Sequence, residues 1–160
     1  MIRVGFGHDS HPFEPEGTTK PLILGGVVFA GQPGLHANSD GDVVLHALFN
    51  ALSQAIGKRS LGIYADPLCQ AGVTDSRAYL KVALDMLGEA GYTIGNVGIS
   101  IEARRPRIEP MARAMKSSIA SLLGVSADQV GITATSGEGL TSFGRGEGIQ
   151  VFAIASVIKT

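Results

Sequence analysis

Between Asp42 and Ile56 the apolar residues Val43, Val44, Ala47, Leu48, Ala51, Leu52, Ala55 and Ile56 recur at the three- and four-residue steps of an α-helix. A stripe this continuous must be buried, so the rest of the chain has to supply a surface to cover it. Gly57 follows at the position where a helix commonly ends in the left-handed conformation. With 160 residues, 44% of them apolar, the chain can bury a core of ordinary size. No repeat or low-complexity linker divides it, and one domain spanning residues 1–160 is expected.

Shorter signals fill in the other elements. Ile2 to Val4 reads as a first strand, and Leu22-Ile23-Leu24 with Val27-Val28 reads as a hairpin around Gly25-Gly26. Ser76 is placed to cap a second helix that buries Leu80, Ala83, Leu84 and Leu87 and stops at Gly91. A third helix starts near Pro110, turns Met111, Met115, Ile119 and Leu122 inward, and stops at Gly124. Asn96 to Ile101, Gly131 to Thr135 and Ile149 to Ile158 are the remaining strands. Because strands and helices mix without a strict βαβ rhythm, the expected class is α+β, a mixed β-sheet with helices packed on one face.

Composition narrows the partners. The formal net charge is -1, which provides no general attraction toward nucleic acid or an anionic membrane. No stretch approaches the ~20 apolar residues that cross a bilayer. The amino terminus breaks into glycines and polar residues before a signal-peptide core can form, and Cys69 is the only cysteine. A cytoplasmic protein is expected. Glycine gathers at Gly25-Gly26, at Gly137 and Gly139, and at Gly144, Gly146 and Gly148, where loops are expected to approach something closely.

Chemistry is concentrated around the histidines. Asp9-Ser10-His11 follows the first strand, and in extended backbone Asp9 and His11 point to one side while His8 and Ser10 point to the other. His46 lies on the polar side of the first helix, one turn after Asp42 and one turn before Asn50. A carboxylate and two imidazoles suit zinc and leave a fourth position for a substrate oxygen. Taken alone, Asp9-x-His11 also fits a surface turn. His46 likewise fits a solvated helix face with Ser39 or Asp40 as its cap.

Three further runs weigh against the plainer readings. Ser39-Asp40-Gly41-Asp42-Val43-Val44-Leu45-His46, Ala134-Thr135-Ser136-Gly137-Glu138 and Gly144-Arg145-Gly146-Glu147-Gly148 follow Asp9-Ser10-His11 in that order. With Gly91-Tyr92-Thr93-Ile94-Gly95-Asn96-Val97, they make the chain resemble the 2-C-methyl-D-erythritol 2,4-cyclodiphosphate synthase family over nearly its whole length. The resemblance implies zinc on Asp9, His11 and His46, and a second divalent ion, magnesium or manganese, on Glu138. It implies phosphate contacts from Thr135 and Ser136 and a cytidine pocket along Ala103 to Arg107. Asn38, Ser39, Gly62 and Asp66 would meet the methylerythritol end, with Asp9 and His11 also close to substrate. Asp66, Thr135 and Glu138 would serve the catalytic step.

The resemblance further implies a homotrimer with active sites between subunits. Arg145 and Glu147 would face a central cavity that in relatives can hold an isoprenoid diphosphate. The chain departs from the common pattern at Asn38, at Ser60-Leu61-Gly62 and in a shortened Tyr64-Ala65-Asp66-Pro67 loop.

The implied substrate is a small-molecule diphosphate, 4-diphosphocytidyl-2-C-methyl-D-erythritol 2-phosphate, whose own 2-phosphate attacks the β-phosphorus and expels CMP. That nucleophile is already anionic at neutral pH, in keeping with a chain that shows no Ser-His-Asp or Cys-His arrangement. Two other readings stand beside it. A metal-dependent phosphohydrolase would let water attack on a related site. A trimer that only binds isoprenoid diphosphates through Arg145 would have little need for Asp9, His11, His46 and Glu138 together.

Overall fold

A computed structural model describes residues 1–160. In chain order the strands are β1 (Ile2–Pro12), β2 (Pro21–Leu24), β3 (Val27–Pro33), β4 (Tyr92–Glu102), β5 (Val130–Thr135) and β6 (Gly148–Lys159). The helices are α1 (Val43–Ala55), α2 (Leu61–Gln70), α3 (Ser76–Glu89) and α4 (Glu109–Leu123), with short 3-10 turns at Ala127–Gln129 and Gly137–Gly139. No helix is long and apolar enough to cross a membrane.

Four strands form one mixed sheet in the order β1-β6-β4-β5. β6 pairs antiparallel with β1 from Ile2 opposite Ile158 to Pro12 opposite Gly148, and antiparallel with β4 on its other side. β4 and β5 run parallel, with α4 between them in the chain. This is the expected α+β arrangement. Alternation decides which face is covered. Ile149, Val151, Ala153, Ala155 and Val157 of β6, with Val97, Ile99 and Ile101 of β4, are buried beneath the helices. These residues and those of α1 belong to one cluster of 33 buried apolar residues.

Helix α1 lies directly on β1, and glycine makes that possible. A Cβ on Gly5 or Gly7 would collide with the carbonyl oxygens of Ala51 or Ala47, so only bare backbone allows the helix so close. The start of α1 is tied to the β2–β3 turn. Gly25 and Gly26 both take positive φ, 62° and 77°, as a tight hairpin requires. The N–H groups of Gly25 and Gly26 donate to the Asp42 carboxylate at 2.8 and 2.7 Å, while Leu45 N–H donates to the same carboxylate at 3.1 Å as an N-cap bond.

Several sequence expectations change. β1 runs to Pro12 rather than stopping at Val4, because β6 pairs with it along its whole length and leaves no reason to leave the sheet. Asp75, not Ser76, caps α3, accepting from Arg77 N–H. In α4, Leu123 is buried where Leu122 and Met111 are only half-buried. Tyr64 to Pro67 is not a loop but the middle of α2. Only Ala65 of that helix is fully buried, so its apolar pattern is faint, and Pro67 reads as a breaker. Its first turn is held by Leu61 N–H donating to Asn50 Oδ1 at 2.9 Å.

Candidate metal centre

The last residues of β1 continue the pleat that faces Gly5 and Gly7 toward α1, so Asp9 and His11 turn to the same side. His8 turns the other way and stacks on Phe152 at 5.9 Å. His46 comes down from the second turn of α1. Asp9 Oδ2, His11 Nε2 and His46 Nδ1 then form a triangle with sides of 2.9, 3.0 and 3.3 Å. Ligand atoms on a tetrahedral ion with bonds of about 2.0–2.1 Å lie about 3.3 Å apart, so the donors already have the spacing of three metal ligands. Each residue offers one donor atom, and all the atoms lie within 4.8 Å of one another.

The face of α1 that carries His46 is polar in composition but not solvated. His46 is only 4% exposed, with Ser76 and Tyr79 of α3 against its ring, and Asp42 is fully buried beside the β2–β3 turn. The imidazole is held on its outer edge as well. Its Nε2 lies 2.8 Å from Ser76 Oγ and 3.5 Å from Ser39 Oγ. Ser76, 1% exposed, is also bonded to Asp40 Oδ1 at 2.5 Å.

Charge follows the geometry. Burial alone would raise the Asp9 carboxyl, but hydrogen bonds and charge from His11 and His46 overcome it and hold the group well below the ordinary carboxylate range. Asp9 is therefore an anion ready to bind a cation. Asp42 is pushed the other way, up to about 6, because burial outweighs its three backbone donors. Burial and the neighbouring Cys69 thiol raise the Tyr79 hydroxyl, which donates to Val73 O at 2.5 Å.

The triangle forms the floor of a cleft of about 370 Å³. Asn38, Ser39, Gly62 and Asp66 line the same cleft, together with Cys69 and Tyr79. Asn38 and Ser39 sit in a loop that Lys20 steadies, its Nζ donating to Ala37 O and Ser39 O. Gly62 and Asp66 come from α2, one turn apart. Ala103, Arg107, Thr135, Ser136, Glu138 and Arg145 do not line the cleft. Ala103 follows directly on β4, and Thr135, Ser136 and Glu138 stand at or just past the end of β5, where Ala103 N–H donates to Thr135 O at 3.0 Å.

In that second group Thr135 Oγ1 accepts from Gly137 N–H, and Ser136 Oγ accepts from Glu138 N–H. Glu138 is exposed and takes a positive φ of 49°, a rare conformation for a residue with a side chain. Arg145 pairs with Glu147 at 3.3 Å and reaches Ser142 Oγ. The sequence gives Asp40 and Ser76 only capping roles and assigns no place in the cleft to Cys69 or Tyr79. Of these, only Asp40 carried a signal, through its place in the Asp40-Gly41-Asp42 run.

A mixed sheet covered by helices on one face, with an Asp-His-His triad where the first strand meets the first helix, defines the class. The chain belongs to the YgbB family, whose pattern matches residues 2–158. Among its relatives is the 2-C-methyl-D-erythritol 2,4-cyclodiphosphate synthase of Chlamydia muridarum, 48% identical over 99% of this chain and 89% of that protein. Solved structures agree. The IspF of Plasmodium falciparum in complex with CDP superposes with a TM-score of 0.87 at 26% identity, covering 99% of this chain and 97% of that one. The bifunctional IspDF of Campylobacter jejuni superposes with a TM-score of 0.91 at 34% identity. The match covers all of this chain and 43% of that longer one.

Proposed function

We propose that this chain converts 4-diphosphocytidyl-2-C-methyl-D-erythritol 2-phosphate to 2-C-methyl-D-erythritol 2,4-cyclodiphosphate, releasing CMP. The observation that carries the reading is the triangle of Asp9, His11 and His46 on the floor of a polar cleft, in a chain of this family. An oxygen of the 2-phosphate forms a bond to the β-phosphorus. The bond from that phosphorus to the bridging oxygen breaks, and CMP departs with the electron pair.

Zinc on Asp9, His11 and His46, and magnesium or manganese on Glu138, would neutralise phosphate charge and polarise the attacked phosphorus. The protein's own share is to fold the substrate so that its two phosphate ends meet; good alignment in intramolecular reactions is worth ~7–11 kcal/mol. In this reading Asn38, Ser39, Gly62 and Asp66 hold the methylerythritol end. Thr135 and Ser136 hold phosphate, while Ala103 and Arg107 frame the cytidine. Asp66, Thr135 and Glu138 act at the reacting end.

A homotrimer follows from the same reading. The methylerythritol and cytidine groups do not share a cleft within one chain, so a neighbouring copy would bring one set to the other. The uncovered face of the sheet supports assembly, since Ile2, Val4, Phe6 and Ile154 are all exposed there. Arg145 would then lie by a central cavity suited to an isoprenoid diphosphate. With Cys69 as its only cysteine, the chain suits a reducing cytoplasm.

Phosphorus NMR of purified protein with this substrate, zinc and magnesium tests the proposal. A cyclic diphosphate formed with one CMP per turnover, and lost on chelation, is the expected result. A linear phosphorylated product would make the chain a phosphohydrolase and overturn the cyclisation. No turnover with metal bound would leave a binding role.

A further inference from the structure

Behind the metal-facing edge of His46 stands a second chain of polar groups that the proposed reaction does not use. His46 Nε2 lies 2.8 Å from Ser76 Oγ, and Ser76 Oγ lies 2.5 Å from Asp40 Oδ1. The three side chains come from three separate parts of the fold: α1, the start of α3 and the loop before α1. His46 and Ser76 are 4% and 1% exposed, so water does not compete for these bonds.

Proton counting fixes the direction. A carboxylate only accepts, so the single Ser76 proton goes to Asp40. Ser76 Oγ is then left with lone pairs toward His46, and Nε2 must carry the proton. The ring is thereby turned so that Nδ1 faces Asp9 Oδ2 at 3.0 Å and His11 Nε2 at 3.3 Å, and a metal bound there would take the Nδ1 lone pair while the Nε2 proton stays on the Ser76 side. We infer that Asp40 and Ser76 are positioning residues: their hydrogen bonds hold the His46 ring with Nδ1 turned toward Asp9 and His11.

The consequence is both geometric and electronic. Histidine ligands commonly donate their second N–H to a carboxylate or carbonyl, which locks the ring and makes the ligating nitrogen a stronger donor. Here a serine hydroxyl stands between ring and carboxylate. Asp40 is itself anchored, accepting from Ser76 N–H through Oδ2 and from Asp42 N–H through Oδ1, both at 3.0 Å. The relay therefore also joins α3 to the loop before α1, so that helix placement and ligand orientation depend on the same carboxylate. Ser39 Oγ, at 3.5 Å from Nε2 and already accepting from Gly41 N–H, is too distant to take over the role.

The inference rests on the reading of Asp9, His11 and His46 as metal ligands, and two measurements on the full-length protein keep the two apart. The first is a long-range proton–nitrogen NMR spectrum of metal-free protein labelled in histidine. It should show a His46 Nε2 proton in slow exchange with water in the wild type and one lost or broadened by exchange in Ser76→Ala. The second is the zinc dissociation constant, from competition with a chromogenic chelator. Ser76→Ala and Asp40→Asn should each weaken binding about 10–100-fold. The double variant should bind about as weakly as Ser76→Ala, since both remove one relay.

A wild-type His46 with no held Nε2 proton, or a Ser76→Ala protein with unchanged Nε2 proton exchange and zinc affinity, overturns the relay. A wild type that binds no zinc refutes the metal reading instead, and the Nε2 proton exchange still decides the relay. Should Ser76→Ala fail to fold, the Asp40→Asn spectrum carries the same comparison.

Discussion

Replacing His46 with alanine takes one corner from the donor triangle and leaves Ser76 Oγ facing a cavity. Metal binding should then fall by more than the ~10–100-fold typical of losing only a supporting contact. Release of CMP should disappear, while circular dichroism still reports a folded chain; full activity with zinc bound would refute the ligand assignment. Asp42 makes a different prediction, about stability. Its carboxyl is raised from 3.8 to about 6 by burial, so the folded state holds a proton that the unfolded chain has already lost. The contribution is fully present below the unfolded pKa and is lost as pH rises through about 6. The unfolding free energy of the wild type, relative to Asp42→Asn, should drop by about 2 kcal/mol between pH 4 and pH 7. Urea titrations of both proteins across that range measure it, and a flat difference would refute the assignment. At this scale Asp9 and His11 were legible, because period-two geometry in a short motif is local. Ser76 was misread as a cap, since its real partners, Asp40 and His46, lie 36 and 30 residues away in the chain.

Helix α1 and strand β1 form the element pair on which the Asp9-His11-His46 triangle depends. Gly7 lies where the helix backbone passes closest, and an alanine there would meet the Ala47 carbonyl and Asn50. Gly7→Ala should cost about 1–3 kcal/mol in unfolding free energy, as overpacking of a tight contact does. It should also weaken zinc binding, because the displaced helix carries His46 away from Asp9. A variant of wild-type stability would show that the contact is looser than the structure has it. The long apolar stripes of α1, α3 and α4 were readable as helices, and Gly57, Gly91 and Gly124 marked their ends with positive φ of 70°, 73° and 67°. Helix α2 was not readable. It is short and contains Gly62 and Pro67, and Asn50 rather than an apolar face secures its start.

The whole molecule leaves one face of its sheet bare. Phe6 and Phe152 stack there at 5.9 Å, beside Ile154, which is 49% exposed. If copies of the chain associate through this face, Ile154→Asp places a charge in the contact without touching the helices or the Asp9-His11-His46 cleft. Light scattering should then show a trimer for the wild type and a monomer for the variant. CMP release should fall even though zinc still binds, because the two groups of site residues would no longer meet. A variant that stays trimeric and active would place the contact elsewhere.

The α+β class and the order of the elements other than α2 were legible in the sequence, Asp9 and His11 through their local spacing and His46 only through the family resemblance. Periodicity, helix-ending glycines and closely spaced donors act over a few residues, so they can be read without coordinates. The tertiary structure alone decided which groups stand behind those residues and which face of the sheet stays open. It also brought Asn38, Ser39, Gly62 and Asp66 into one cleft and kept Thr135 and Glu138 out of it. Those outcomes depend on contacts between distant segments, where packing fixes both distance and direction. A hydroxyl at the start of α3 supports a ligand on α1 only after the fold has brought the two helices together.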